Sequence, residues 1–313
     1  MVARTLFGLL ALALLASPPS ASASEHLGDR DVSFLSLQVN TRGEALVSYR
    51  KANGERRDVL VWGALNAHAP DPERPQEHFR FDYSGGWQTH GTAQYARSFR
   101  NACQAYDGPR LVYLVAACKA PDGSYWALQR WQRLAPMRGF DPFLPGHTAI
   151  ELHVSHWSGP LPVLEVSPNW TYGGTLQGLF GRLTYRGEAV HGFRTPSATR
   201  RDPYARFVYI DTFNSVYGPG WKRDTGIVTH PRNGAFCYSF VPQVPPPGYP
   251  SSEPRGPGNG ERHRVTVMGP GVTPVVQWEG RGLRRYDAAS DRVFNTRFDR
   301  LVGDQDRLCA PER

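Results

Sequence analysis

Three turn-forming dipeptides constrain the fold of this chain more than any other feature of its sequence. Asn53-Gly54, Asp122-Gly123 and Asn233-Gly234 each separate two segments rich in apolar residues; these segments are 45–50 and 58–62, 111–118 and 124–131, and 227–230 and 235–240. Asn-Gly and Asp-Gly readily adopt the positive φ angles of tight hairpin turns. Three such signals predict antiparallel strands throughout the chain and argue against a helical fold.

The expected fold class is all-β, with two antiparallel β-sandwich domains and one short C-terminal helix. We place the domains at 24–172 and 173–313, because a chain of this length suggests two domains. The stretch 242–260 holds 7 Pro and 4 Gly in 19 residues, so we expect a long exposed loop there. Phe294, Phe298 and Leu301 follow Ser290 at helical spacing, which predicts the short helix.

Residues 1–23 have the pattern of a cleaved secretory signal peptide. A basic start ending at Arg4 precedes an apolar run, and Ala21-Ser22-Ala23 supplies the small residues of a cleavage site. We therefore expect a secreted or extracytoplasmic protein that begins at Ser24. The apolar run is too short to span a bilayer and no second one follows, so no membrane span is expected.

The charge of the chain is positive and carried by arginine. The formal charge of +8 falls to +7 without Arg4, and the cations are 33 Arg against 3 Lys. Arginine binds carboxylate, phosphate and sulfate groups with a planar set of donors, although codon usage would also explain the bias. A basic excess favours anionic surfaces as partners without identifying one.

Four cysteines in an exported chain predict two disulfides. We expect Cys103 to pair with Cys118, since they are close in sequence, and Cys237 to pair with Cys309, which would attach the C-terminal tail to a strand. Their spacing is not that of a zinc site, and we expect no metal and no cofactor.

Segments of the second half resemble transthyretin-like and carboxypeptidase-regulatory-like β-sandwich domains. The resemblance is carried by Gly181-Arg182-Leu183-Thr184-Tyr185-Arg186-Gly187-Glu188-Ala189-Val190-His191-Gly192, by Val208-Tyr209-Ile210-Asp211-Thr212, by Asn233-Gly234-Ala235-Phe236-Cys237-Tyr238-Ser239-Phe240 and by Arg264-Val265-Thr266-Val267. It covers about a third of the chain and is interrupted by two long insertions. Because such modules usually support or tether another part, the resemblance implies a non-catalytic second half. The first half resembles no family.

Aromatic residues in loops mark the candidate ligand site. The stretch 211–224 combines aromatic, amide and charged side chains, and its glycines require a turn. We expect Trp221 to stack on a ligand with Tyr217 beside it, Asn214 to donate hydrogen bonds, Arg223 to meet an acidic group, and Trp170 to extend the aromatic surface. The structural alternative is that these rings close the ends of a sandwich.

The sequence patterns that would indicate catalysis or metal binding are weaker than the aromatic pattern of 211–224. Carboxylate pairs such as Glu151 with Glu165, or Asp211 with Asp224, would suit a glycosidase if they lay about 5–9 Å apart. His153 and His156 stand three apart in a segment that alternates like a strand, where they point to opposite faces and cannot chelate one ion together.

The function expected first is non-catalytic binding of a carbohydrate or an anionic polymer of the cell envelope or surroundings. The alternatives are a secreted glycosidase-like hydrolase with a carboxylate pair and a structural envelope or interaction protein. Single-stranded nucleic acid would use the same rings and cations, but export makes it a less natural ligand. The sequence does not assign an oligomeric state.

Overall fold

The chain is an all-β protein, which confirms the expected fold class. The computed structural model describes residues 25–65, 79–132, 141–142, 150–172, 175–185, 188–189, 207–215, 218–223, 227–229, 235–239, 260–268 and 273–281. The strands of these residues are β1 Glu25–Arg30, β2 Ser33–Val39, β3 Ala45–Arg50, β4 Arg56–Gly63, β5 Phe79–Asp82, β6 Gln104–Ala105, β7 Leu114–Lys119, β8 Tyr125–Gln132, β9 Ile150–Trp157, β10 Val163–Tyr172, β11 Thr175–Tyr185, β12 Glu188–Ala189, β13 Phe207–Ser215, β14 Gly218–Arg223, β15 Ile227–Thr229, β16 Ala235–Ser239, β17 Arg262–Met268 and β18 Val276–Arg281.

Four antiparallel sheets contain these strands. Their orders are β2-β3-β4-β5 and β1-β9-β8-β7-β6 in the first half, and β10-β11-β16-β15 and β14-β13-β17-β18 in the second, with β12 beside β11. Among the described strands, none of the first half pairs with one of the second. Each half therefore builds its own sheets.

The predicted hairpins are present. β3 pairs with β4 and β7 pairs with β8, and their turns place Gly54 and Gly123 at a φ of 83°. A residue with a Cβ adopts that backbone conformation only with strain, which is why glycine stands there. β15 pairs with β16 as expected, while the Asn233-Gly234 turn between them lies outside the described residues.

Each half has a buried core that draws side chains from two sheets. In the first half, Val47 and Val59 pack in one cluster with Trp126 and Val154 of the facing sheet. Fully burying an apolar side chain of this size stabilises a fold by about 1.5–3 kcal/mol. In the second half, a separate cluster joins two sheets; its buried members are Val166, Leu179, Leu183, Tyr185, Ile210, Val265, Val267 and Val276. The sandwich arrangement itself stays a prediction.

The sheet pairing joins β10 to the strands of the second half. β10 pairs with β11 along its length, from Val163 opposite Thr184 to Tyr172 opposite Thr175. It is therefore part of a second-half sheet, and the change of sheet partners falls between Trp157 and Val163, whereas the predicted division was at 172–173. Ser158-Gly159-Pro160-Leu161-Pro162, between β9 and β10, is a turn signal that the predicted division did not use.

The two halves meet at the start of β7. Buried Tyr209 and Val275 of the second half pack against Val112 and Tyr113 of the first. This contact places one face of the β14-β13-β17-β18 sheet beside β7 and β8, and the candidate site lies along it.

Two one-turn helices, α1 Trp87–His90 and α2 Tyr95–Ser98, lie in the first half. The predicted C-terminal helix after Ser290 lies outside the described residues. No helix in the described part of the chain is long and apolar enough to cross a membrane.

The expected disulfide between Cys103 and Cys118 is present, with the two Cα atoms 5.7 Å apart. It lies where β6 pairs with β7. Cys237 belongs to β16, but its side chain, like all of Cys309, is outside the description. Their pairing stays a prediction.

Candidate functional site

One face of the β14-β13-β17-β18 sheet is aromatic and charged, and apolar residues of its opposite face fill the second-half core. Across the paired strands, Trp221 lies opposite Phe213 and Phe213 lies opposite Arg262. Two positions further along, Asp211 lies between Arg223 and Arg264. Because side chains alternate along a strand, these residues share a face, and the intervening apolar residues fill the second-half core.

Trp221 holds the guanidinium group of Arg264. The Cζ atom of Arg264 lies 3.9 Å from the centre of the ring, and that of Arg262 lies 5.4 Å from it. Phe213 packs beside Trp221 with ring centres 5.3 Å apart. A cation over an indole ring is stabilised by about 0.5–2 kcal/mol. Trp221 is thus partly buried. The face of its ring that lies toward Arg264 orients this cation and is not open to a ligand.

Arg264 keeps hydrogen-bonding capacity that no described residue uses. Its Nε is buried without a hydrogen-bond partner in the described part of the chain. Its Nη2 lies 3.6 Å from Glu279 Oε2, which is too long for a hydrogen bond. The Nε–H is closed off from solvent, so a ligand would reach this guanidinium through its Nη groups, where an anion would accept charge-assisted hydrogen bonds.

A cavity of 770 Å³ opens beside this stack, between the sheet and β7 and β8. Tyr113 and Arg130 of the first half and Trp221 and Arg264 of the second are among the side chains that line it. Asp141 also lines it, but that carboxylate accepts a hydrogen bond from Lys222. The charges of Arg130 and Arg264 therefore dominate the cavity.

Tyr113 has a strained backbone at the floor of the cavity. Its φ is 53°, in the left-handed region that costs a bulky residue roughly 1–3 kcal/mol. Its hydroxyl accepts a hydrogen bond of 3.2 Å from Gln277 Nε2. Burial, with the charge of Asp211, raises the pKa of Tyr113, so the hydroxyl stays protonated and neutral. No local sequence pattern indicates this residue.

Asn214 shapes the β13–β14 turn. It has a φ of 51°, its Oδ1 accepts a 2.9 Å hydrogen bond from Gly220 N, and its Nδ2 donates one of 2.9 Å to Glu261 Oε1. Both ends of the exposed amide thus have partners within the protein. A ligand contact by Asn214 stays a prediction, as does that of Tyr217, which lies outside the described residues.

Arg223 does not face the surface, and the position expected for it is corrected. It is 4% exposed, its Nε donates a 2.8 Å hydrogen bond to Asp211 Oδ1, and its guanidinium lies over Tyr209 with Cζ 4.1 Å from the ring centre. The cause is the strand register, which sets Asp211 opposite Arg223. Removing one partner of a buried ion pair is strongly destabilising, so this pair has a structural role.

Trp170 lies in β10, which belongs to the other sheet of the second half from Trp221. Its side chain is outside the description, so a shared aromatic surface stays a prediction. A different aromatic pair is exposed in the first half: Trp87 is 56% exposed and Tyr83 is 42% exposed. Their loop is held by buried Asp82, whose carboxylate accepts hydrogen bonds from Ser84 and Thr89.

Two of the four predicted carboxylates, Glu151 and Asp211, are engaged inside the protein. Glu151 is 2% exposed and contacts His26 Nδ1 at 3.0 Å and Arg30 Nε at 3.1 Å. Asp211 is paired with Arg223, and Asp224 lies outside the described residues. His153 and His156 are both buried in β9. Among the residues that the structure describes, no three His, Cys, Asp or Glu side chains are grouped so as to hold a metal ion.

The fold and cavity thus define an all-β protein with a basic, aromatic cleft between its two halves. No protein-family model, curated protein or solved structure matches the chain. The segments that resemble transthyretin-like domains fall on β11–β12, β13, β16 and β17. Many antiparallel folds have strands in this order, so the resemblance stays a prediction.

Proposed function

We propose that this protein is a secreted, non-catalytic binding protein for an anionic polymer of the cell envelope or surroundings, with the cleft at Arg264 as its site. The observation that carries the proposal is the Arg264 guanidinium, which is stacked on Trp221, lines a cavity and has its Nη2 3.6 Å from Glu279, beyond hydrogen-bonding distance. The export part of the proposal rests on the signal-like residues 1–23.

The cleft favours an anionic ligand over a neutral sugar. The ring of Trp221, which was expected to stack on a sugar, already carries Arg264 at 3.9 Å. The donors left for a ligand are therefore guanidinium groups, which bind carboxylate and sulfate groups with two parallel hydrogen bonds. Arg130 adds a second, exposed cation at the same cavity.

The carboxylates near the cleft favour binding over hydrolysis. Asp141 pairs with Lys222, Asp211 with Arg223, and Glu279 with Arg262. A glycosidase needs one carboxyl group that donates a proton and a second that attacks or activates water. Each of these three carboxylates is already held by a cation of the protein, so none is free to take either role.

The test is equilibrium binding of the purified chain to polygalacturonate and to dextran sulfate, with neutral dextran as the reference polymer. Arg264→Ala should weaken binding about tenfold, because a hydrogen bond to a charged group contributes about 1.5–3 kcal/mol. Arg80→Ala is the matched control: it removes one exposed cation from β5, away from the cavity-lining residues, and should change binding less than about twofold.

Each alternative has its own outcome. Equal losses in Arg264→Ala and Arg80→Ala would show that binding follows the overall basic charge and that the cleft is not the site. Accumulation of new reducing ends with time would establish the hydrolase. If the wild-type chain binds neither polyanion, the binding proposal fails and the structural role takes its place.

A further inference from the structure

A second cavity adjoins the first and shares two of its residues. It has a volume of 430 Å³, and Tyr113 and Arg264 line both cavities. Arg110 lines only the smaller cavity, and Arg130 lines only the larger one. Since two shared residues bound both spaces, the cavities are neighbouring parts of one groove that passes over Tyr113 and Arg264.

Three arginines follow this groove. Arg110 and Arg130 are exposed and make no ion pair with a described residue, and Arg264 lies between the two cavities. The carboxylate of the smaller cavity, Glu279, is shared between Arg262 at 2.8 Å and Arg264 at 3.6 Å, so the arginines of the groove outnumber it. A cation in each cavity and one at their junction match a ligand that carries several anionic groups along its length.

Neutral polar groups stand beside the central cation. Gln277 lines the smaller cavity, and its Nε2 donates hydrogen bonds to Tyr113 Oη and to Thr266 Oγ1, at 3.2 and 2.8 Å. The amide oxygen of Gln277 and the hydroxyl of Tyr113 are groups that bind ligand hydroxyls. Arg264 already covers one face of the Trp221 ring, so that face is not open to a stacked nucleic acid base.

We infer that the groove binds an extended segment of an acidic polysaccharide, with anionic groups at Arg130, Arg264 and Arg110 and sugar hydroxyls at Tyr113 and Gln277. This inference rests on the proposed function and adds the ligand class and its minimum extent. It distinguishes a chain-binding groove from a pocket for one anionic group.

Calorimetric titration with galacturonic acid and with oligogalacturonides of increasing length tests this inference. Affinity should rise with length until both cavities are filled. Arg110→Ala and Arg130→Ala should each weaken binding of the long oligomers about tenfold. A ligand short enough to occupy only the larger cavity should bind Arg110→Ala with the same affinity as the wild type, because Arg110 does not line that cavity. Both substitutions are at exposed positions, so melting temperatures should stay close to that of the wild type.

The failures of the two proposals are distinguishable. If Arg264→Ala weakens binding but affinity does not rise with oligomer length, the extended groove is wrong and the anion-binding cleft stands. If Arg264→Ala binds as well as Arg80→Ala, the proposed function itself fails. If single-stranded DNA of comparable charge binds as tightly as the longest oligogalacturonide, the acidic polysaccharide is the wrong ligand class.

Discussion

The side-chain amide of Gln129 pairs with the backbone of Val275 in the way that two strand residues pair. Its Oε1 accepts a 2.9 Å hydrogen bond from Val275 N, and its Nε2 donates to Val275 O at 3.2 Å and to Val112 O at 2.8 Å. Gln129 belongs to β8 and is fully buried, while Val275 precedes β18. One side chain thus joins the two halves that form the walls of the cleft.

Gln129→Met should lower the free energy of unfolding and weaken ligand binding together. Methionine fills a similar volume but leaves a buried N–H and two carbonyl groups without the amide, at about 1–3 kcal/mol for a buried group left unsatisfied. We expect a loss of about 2 kcal/mol or more in urea unfolding. Gln88→Met, at an exposed position of α1, is the matched control and should stay within about 0.5 kcal/mol. Equal stability of the two variants would show that Gln129 does not hold the halves together.

Trp221→Ala should weaken binding of polygalacturonate through Arg264. Without the ring, the guanidinium loses a contact of about 1 kcal/mol and its fixed orientation, which corresponds to roughly fivefold or more in Kd. Trp221→Phe keeps an aromatic face and should retain most of the affinity. Affinity and melting temperature are measured on both variants. A large loss of melting temperature with unchanged affinity would assign Trp221 to the packing of the sheet alone.

Local signals in the sequence predicted the strands well. The Asn-Gly and Asp-Gly turns act within a few residues, so β3–β4, β7–β8 and β15–β16 were found from them. The division at 172–173 stays a prediction, and the pairing of β10 with β11 is not readable from the residues of β10 alone. Trp221 was found because an aromatic residue beside Gly and Pro stands out.

The other cleft residues could not be found from the sequence. Arg264, Arg130 and Tyr113 come together only when the two halves meet, and each lies in an ordinary strand-like segment. Arg223 was expected at the surface because the strand register, which pairs it with Asp211, is not readable from spacing. An aspartate and an arginine at matching positions of one hairpin are the only signal that could have indicated that ion pair.

The Cys103–Cys118 disulfide should contribute about 3 kcal/mol to stability, since it closes a loop of 15 residues in the unfolded chain. Denaturant unfolding of the double variant Cys103→Ser with Cys118→Ser measures this loss. Thiol titration of the unfolded, unreduced chain is the control: the wild type and the double variant should show the same number of reactive thiols. Two more thiols in the wild type would show that the bond is absent.

His156 lies in a buried network in which one hydroxyl meets two acceptors. Its Nδ1 lies 3.0 Å from Gly63 O and must donate to that carbonyl, so the Nε2 of the neutral ring is an acceptor. Ser124 Oγ lies 2.9 Å from this Nε2 and 2.6 Å from Asp122 Oδ1. The ring stacks on Trp126 with centres 4.0 Å apart. Burial is the largest effect and lowers the pKa of His156 from 6.5 to about 4.

Stability should therefore fall as the pH drops from about 6.5 to about 4. Below pH 6.5 the unfolded chain protonates this histidine, whereas the folded protein holds it neutral until about pH 4. Protonation thus favours the unfolded state across that window, by roughly 3 kcal/mol in total, and the effect is constant below it.

His156→Gln cannot titrate, so its unfolding free energy should depend less on pH in this window, whatever its stability at neutral pH. Urea unfolding across the window compares the two slopes, with Gln88→Met, which changes no titratable group, as the control that should keep the wild-type slope. Equal slopes for the wild type and His156→Gln would show that His156 does not control the acid sensitivity of the fold.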